Sequence, residues 1–325
     1  MTWRPTAKLD VLKLRARMLG RVRAFFAERG VLEVETPLLS AAATTDPNLE
    51  SLTTRYTGPG FAQGQPFYLH TSPEFAMKRL LAAGAGSIFQ LCKVFRGGEA
   101  GRLHNPEFTM LEWYRTDVGQ HALMEEVTAL VSFVLKAKTP NGVEKTSYRD
   151  AFMQATGLDP HRAGVAELAA CALRLGVDPP STMSREQCDP WLDLLLTHVV
   201  EPRLGRGRMT FLYDYPASQA ALAQVRAGNP PVAERFELYI EGVEIANGFH
   251  ELGDAAEQRR RFERDLAYRQ KHELPEVPLD RHLLDALANG MPDCSGVALG
   301  FDRLVMVAAG AESIEAVVTF PLERA

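Results

Sequence analysis

Four stretches of the sequence set charged side chains in or beside expected strands. VFRGGEAGRLHNPEF places Arg96 beside Gly97 and Gly98 at the mouth of an expected hairpin. An arginine is permanently charged and forked, so it matches a phosphate oxygen, and neighbouring glycines let the backbone approach a ligand closely. A solvated turn arginine satisfies the same pattern. Arg303, in GFDRLVM, either meets a second anion or forms a local ion pair with Asp302. Glu237 and Glu244, in FELYIEGVE, have an odd separation that would put them on opposite faces of one uninterrupted strand. A turn or bulge at Glu241 and Gly242 would return them to a common side. Converging carboxylates suit magnesium, which takes oxygen ligands and keeps water and substrate phosphate; two exposed strand carboxylates are the plainer reading. Glu251, in NGFHELGD with Asn247 and Gly248 nearby, offers a partner for an ammonium group.

The stretch HNPEFTMLEWY raises a related question. Strand alternation puts Phe108, Met110, Glu112 and Tyr114 on one face and Glu107, Thr109, Leu111, Trp113 and Arg115 on the other. Glu112 then either meets a ligand or orients its neighbours, and Glu107 is expected to serve the adjoining loop as a structural partner.

Other chemistries are not supported. There is no HExxH, dinucleotide fingerprint or phosphate-loop lysine, and His104 and His250 form no nucleophilic constellation that spacing can establish. Cys92, Cys171, Cys188 and Cys294 are scattered, without the paired spacing of a zinc or redox site. A net charge of -5 and a pI near 6.0 provide no global basic field for a nucleic-acid backbone. No apolar run reaches bilayer length, and the charged N-terminus is unlike a signal peptide, so a cytoplasmic protein without membrane contact is expected.

The elements that must position these residues are legible from periodicity. Leu12, Leu19, Val22 and Phe26 predict a helix from Lys8 to Arg29, closed by Gly30, and VLEVETP predicts a short strand ended by Pro37. TSPEFAMKRLLAAG is a helix with Thr71 or Ser72 as cap, Pro73 in its first turn and Glu74 facing the helix dipole. SIFQLCKVF and PEFTMLEWY form the hairpin, and a helix follows from Asp117 to Lys136. From about 139 to 231 the chain is richer in turn signals and is expected to be an insertion or subdomain, with helices near Val165 to Leu175 and Arg185 to Val200, then the strand MTFLYDY. RFELYIEGVEIANGF returns to strands, Asp254 to Lys271 is a helix, and CSGVALGFDRLVMVAAG is a strand and helix. Neighbouring strands with short connections indicate an α+β class with an antiparallel sheet. With 325 residues, 46% of them hydrophobic, the chain can bury a sizeable core.

In this order the segments resemble the catalytic domain of class II aminoacyl-tRNA synthetases, lysyl-tRNA synthetase most closely. RVRAFFAERGVLEVETPLL is similar to motif 1, VFRGGEAGRLHNPEFTMLEWY to motif 2 and GVALGFDRLVM to motif 3, while TSPEFAMKRLL and FELYIEGVEIANGFHEL resemble lysine-specific segments. Because motif 1 begins almost at the first residue, a single catalytic domain over 1–325 without an anticodon-binding domain is expected. That arrangement resembles the elongation factor P lysine ligase family. The resemblance implies ATP and Mg2+ as cofactors, β-lysine or lysine as substrate, elongation factor P rather than tRNA as acceptor, and a homodimer formed through motif 1. A truncated tRNA ligase and a non-catalytic amino-acid-binding paralogue are the alternatives.

Residue by residue, the resemblance assigns the α-phosphate to Arg96, the γ-phosphate to Arg303 and adenine stacking to Phe108. Gly97, Gly98, Asn105, Ile245 and Gly300 would also meet the nucleotide. Glu237 and Glu244 would hold magnesium, with Glu244 also at the ATP. Ser72, Pro73, Glu74, Tyr114, Asn247, Glu251 and Ala298 would surround the amino acid, with Tyr114 and Glu251 reading its side-chain ammonium. Two positions depart from the pattern. Gly98 stands where motif 2 usually has a glutamate, which leaves Glu99 to recognise the adenine amino group through a shifted loop. Ala298 stands where lysyl-tRNA synthetase has glycine, and its methyl group is expected to favour a β-amino acid.

Overall fold

Apolar residues at helical spacing make the first element, α1 (Leu9–Ala27), which buries Met18, Val22, Phe25 and Phe26. The chain leaves it through Gly30 at φ +64°, the left-handed conformation for which glycine is suited. Phe26 stacks on Phe89 with ring centres 4.4 Å apart and meets the edge of Trp113 at 5.5 Å. The computed structural model describes residues 3–325. They divide into two units: the first comprises residues up to Val118, Phe133–Lys136 and Leu252–Ala325, and the second Gly119–Ser132 and Ala137–Glu251.

In the first unit the VLEVETP strand is short, β1 (Leu32–Glu33). A small antiparallel sheet not anticipated from sequence follows: β2 (Leu39–Ser40), β3 (Thr53–Tyr56) and β4 (Gln65–Leu69), with β4 central. Then come α2 (Glu74–Ala82), β5 (Ile88–Phe95) and β6 (Glu107–Thr116). The last two form the expected hairpin, in register from Ile88↔Tyr114 to Phe95↔Glu107.

α3 (Gln120–Leu135) leads into β7 (Val143–Ser147), α4 (Tyr148–Thr156), α5 (Val165–Arg174), α6 (Asp189–Leu195), β8 (Met209–Pro216), β9 (Val225–Arg226), β10 (Val232–Ile240) and β11 (Val243–His250). The second unit's strands run β11-β10-β8-β7, with β9 beside β10; β7 and β8 are parallel and the other pairs antiparallel. Phe152, Leu168, Trp191, Leu195 and Tyr215 lie in its core. α6 is shorter than the expected Arg185 to Val200, because Pro190 belongs to a first helical turn and residues 196–200 widen into a π-turn. The unit continues to Glu251, past the expected boundary near 231, because β10 pairs with β8 and β11 with β10.

The first unit resumes with α7 (Ala255–Lys271), whose first N–H groups donate to Asp254, and α8 (Arg281–Asn289), whose N-cap is Asp280. β12 (Cys294–Gly300) and α9 (Phe301–Ala309) complete it. β12 pairs antiparallel with β6, setting Ala298 opposite Glu112, and β5 on the other side sets Gln90 opposite the same residue. β1 joins β5 in parallel. The α+β class with mainly antiparallel sheets therefore stands, with two parallel pairings. Among the described residues no helix is long and apolar enough to cross a membrane.

Gly205 and Gly207 separate backbone strain from packing, since both have φ +69°. A Cβ on Gly205 would lie 2.6 Å from the Tyr239 carbonyl oxygen, whereas one on Gly207 meets nothing within 4 Å. Gly207→Ala should cost about 1 kcal/mol in urea unfolding and Gly205→Ala at least about 2 kcal/mol more, because the backbone it meets must move. Equal losses would contradict this account of β10 packing.

Candidate active site

The β6 strand organises the site residues of the first unit. Thr109, Leu111 and Trp113 take the face toward α1, as Arg15 donates to Thr109 Oγ1 and Phe26 meets Trp113. The alternate residues Phe108, Glu112 and Tyr114 share the other face. Glu112 is 1% exposed. Its Oε2 accepts from Ser72 Oγ and its Oε1 from Tyr114 Oη, each at 2.6 Å. The N-cap of α2 is Pro73, neither of the two candidates Thr71 and Ser72, and no side chain caps it; Ser72 Oγ instead accepts from the Glu74 N–H at 3.0 Å, in a turn that leads into the helix. Glu74 in turn holds the buried Lys78 ammonium at 2.6 Å, one helical turn on. Ser72, Glu112 and Tyr114 are thus linked directly, with Ala298 in the ladder beside them.

The linkage fixes a polarity. A hydroxyl has a single proton to give. Ser72 and Tyr114 both give theirs to Glu112, so any further hydrogen bond to either oxygen is one that it accepts, a chemistry that suits an ammonium group and not a carboxylate. The sequence left Glu112 between ligand contact and orientation; its geometry is that of an orienting group.

Past β5, Arg96 lies with its guanidinium carbon 5.3 Å from the centre of the Phe108 ring, its Nε donating to the Thr71 carbonyl at 3.4 Å. Gly97 pairs its N–H with the Glu50 carbonyl at 2.8 Å, and a Cβ there would come 2.9 Å from the Glu50 side chain. Gly98 is at φ +73°, so the glutamate usual at this place in motif 2 would be strained. Glu99 is turned toward Arg96, 3.8 Å from its Nη1. Asn105 has both ends of its amide on backbone, donating to the Glu107 carbonyl at 2.6 Å and accepting from the Leu322 N–H at 3.1 Å, so it clamps the loop.

Arg303 does not pair with Asp302. Asp302 accepts from Arg15 and from the Thr109 N–H, while Arg303 meets His104 Nε2 at 2.8 Å. Burial, reinforced by Arg303, lowers the His104 pKa, which keeps its ring neutral and able to accept. Glu107 serves the loop through its carbonyl, which accepts from Asn105, while its side chain pairs with Lys93 of β5 at 3.4 Å.

In the second unit, Glu241 and Gly242 both have positive φ and make the turn between β10 and β11. Glu237 and Glu244 therefore lie on different strands. Glu244 pairs opposite Tyr239 and Asn247 opposite Glu237, with Ile245 left as the extra residue of a bulge, so all four share a face. Glu237 is held in place: Arg235 reaches its Oε1 and Tyr239 Oη its Oε2, each at 2.5 Å. Although burial opposes the charge on Arg235, Glu237 raises its pKa overall. A carboxylate has about four lone-pair sites, so acceptors remain, and the oxygen-only pair Glu237 and Glu244 fits a magnesium ion chemically. Among the described residues no group of three or more His, Cys, Asp or Glu could hold a metal, so such an ion would draw further ligands from substrate and water. Asn247 Oδ1 is buried with no hydrogen-bond partner among the described residues. Glu251 is buried, and its carbonyl accepts from Gln224 at 3.0 Å.

Cys92 reports on the β6 carboxylate. Burial first, and then the Glu112 charge, push its thiol up to about 12. Since the thiolate is the nucleophile, native protein treated with iodoacetamide at pH 8 should leave Cys92 unmodified in peptide mass mapping, and unfolding in urea should expose it. Rapid native labelling would contradict this environment.

A family model described as tRNA synthetases class II (D, K and N) matches residues 1–324. The protein of Salmonella arizonae named elongation factor P–(R)-β-lysine ligase is 52% identical over 324 residues, which cover 100% of this chain and 98% of that protein. Proteins of the same name from Salmonella paratyphi B and Salmonella typhi are each 51% identical with the same coverage. The motif 2 hairpin, the motif 3 strand and helix, and matches of this extent lead to one conclusion: the chain belongs to the class II tRNA synthetase family of the D, K and N type.

Proposed function

We propose that this enzyme activates (R)-β-lysine with ATP as an aminoacyl-adenylate and transfers it to a lysine side chain of elongation factor P. The observation that carries the reading is the pair of hydroxyls, Ser72 and Tyr114, whose protons are held by Glu112. Their oxygens can then only accept, which suits an ammonium-bearing amino acid. The name shared by relatives at 51–52% identity supports the acceptor.

In the first step an oxygen of the substrate carboxylate attacks the α-phosphorus and pyrophosphate leaves. The carboxylate is ionised at neutral pH, so the step asks for positioning and charge neutralisation rather than a general base. Arg96 would meet the α-phosphate and Phe108 the adenine, with the Gly97 and Gly98 backbone and Gly300 beside them. Arg303 would meet the γ-phosphate, released from His104 or shared with it. Glu99 would leave Arg96 to take the adenine amino group. Magnesium, held by Glu237 and Glu244, would supply charge neutralisation on the phosphates. Tyr114 and Glu251 would read the side-chain ammonium, and Ser72, Glu74 and Asn247 would hold the rest of the substrate. In the second step the neutral amine of the acceptor lysine attacks the anhydride carbonyl, AMP leaves and a proton is released, giving an amide.

The Ala298 methyl group, beside Glu112, would favour the β-amino acid over the α-amino acid. The exposed Leu32, Leu38 and Leu39 of the motif 1 segment suit a homodimer contact. A cytoplasmic location follows from the acceptor.

The test is to incubate the protein with ATP, with (R)-β-lysine or α-lysine, and with elongation factor P or tRNA, and to weigh the products. A mass gain of one lysyl group on elongation factor P is expected, larger with the β-isomer; a gain only on tRNA would overturn the reading. Ala298→Gly should shift the isomer preference toward α-lysine by about tenfold or more, as one carbon in a pocket can discriminate by roughly 1–3 kcal/mol. An unchanged preference would remove Ala298 from the specificity account.

A further inference from the structure

β12 pairs with β6 as far as Gly300↔Met110, and the chain then turns into α9. Just past that last pair, the Thr109 N–H donates to a side chain, the Asp302 Oδ2 at 2.6 Å. The other oxygen of Asp302 takes Arg15 Nη1, and Arg15 Nη2 donates to Thr109 Oγ1 at 2.7 Å. Arg15, Asp302 and Thr109 therefore close a ring of three hydrogen-bonded contacts that joins α1, β6 and α9. Its members are well shielded: the Asp302 side chain is 2% exposed and that of Arg15 17%. The Arg15 guanidinium also lies 5.2 Å from the centre of the Phe301 ring, which precedes Asp302.

The chain neighbours of this ring are the two residues assigned above to nucleotide. Phe108 precedes Thr109 and faces the other side of β6; Arg303 follows Asp302 in the first turn of α9. Fixing Thr109 by both its N–H and its hydroxyl fixes the backbone that carries Phe108. Fixing the Asp302 carboxylate to the β6 backbone sets where α9 begins, and with it the root of Arg303. Charge-assisted bonds are the strong ones, and a guanidinium fork reaches two acceptors at a set spacing that an ammonium cannot span.

We propose that Arg15 is a positioning residue for ATP: through Thr109 and Asp302 it sets Phe108 and Arg303 from the face of the sheet opposite the ligand. The proposal rests on the reading of Phe108 and Arg303 as nucleotide-binding residues. It makes α1 part of the nucleotide site without touching it.

The variants Thr109→Val and Arg15→Lys test it. Thr109→Val removes one side of the ring while keeping side-chain shape and the backbone N–H; it decides the matter if Arg15→Lys fails to fold. Dissociation constants for a non-hydrolysable ATP analogue are measured by calorimetry, with KM for ATP and for the amino acid from pyrophosphate exchange, and Tm for each protein. Each variant should weaken the analogue and raise KM for ATP about tenfold, since small misplacements of binding groups carry effects of this size or larger. KM for the amino acid should stay within about twofold. In an Arg303→Ala background, Arg15→Lys should weaken the analogue less than it does in the native protein, because coupled groups are not additive. Unchanged nucleotide affinity in both variants, equal increases in both KM values, or full additivity would overturn the proposal. Analogue binding without pyrophosphate exchange in the native protein would overturn the proposed function but leave the Arg15 comparison readable by calorimetry; absence of nucleotide binding would overturn both.

Discussion

A carboxylate withdrawn from water must be given protons to accept, or it raises the energy of the fold that buries it. Glu112 stands in the middle of β6, flanked in the ladder by Gln90 and Ala298, and is almost inaccessible. Ser72 and Tyr114 answer that demand. By doing so they lose their ability to donate elsewhere, and the start of α2 is drawn to the strand, because the same Ser72 oxygen receives the Glu74 N–H. One buried charge thus draws in a helix, orients two hydroxyls and, under the proposed function, sets the sign of the group they can bind. On the reverse face of the strand, Arg15, Thr109 and Asp302 hold the backbone with a second buried carboxylate.

The second unit uses the same device. Glu237 is fixed by Arg235 and Tyr239, and a bulge at Ile245 brings Glu244 and Asn247 to its face. An oriented carboxylate with lone pairs to spare is better prepared for a divalent ion than a mobile one, because the ordering has already taken place on folding.

The long periodic elements were legible in the sequence because one pattern fixed both conformation and burial. α1, the β5–β6 hairpin, α7, β12 and α9 belong to this class, and so does the common side for Glu237 and Glu244, anticipated from Glu241 and Gly242. β7 escaped notice because VEKTS is polar and mostly exposed, and the small β2-β4-β3 sheet because its strands are short and only partly buried. The partners of charged side chains were the least legible. Adjacency suggested Asp302 with Arg303, whereas Asp302 meets Arg15, 287 residues away in the chain. Likewise nothing local to β6 indicates that Ser72 reaches Glu112. Motif resemblance named the residues expected to face a ligand but left out the Arg15 ring and the Arg235–Glu237–Tyr239 contacts, which the fold assembles from distant parts of the chain or from within β10.

The polarity imposed by Glu112 is the central physical claim, and one substitution reverses it. Glu112→Gln keeps the shape but turns one acceptor into a donor, so one of the two hydroxyls loses the acceptor that holds its proton. Calorimetric binding of (R)-β-lysine to the folded variant should be weaker than to the native protein by about tenfold to a hundredfold, the range of a hydrogen bond to a charged group. Binding as tight as that of the native protein would contradict the account.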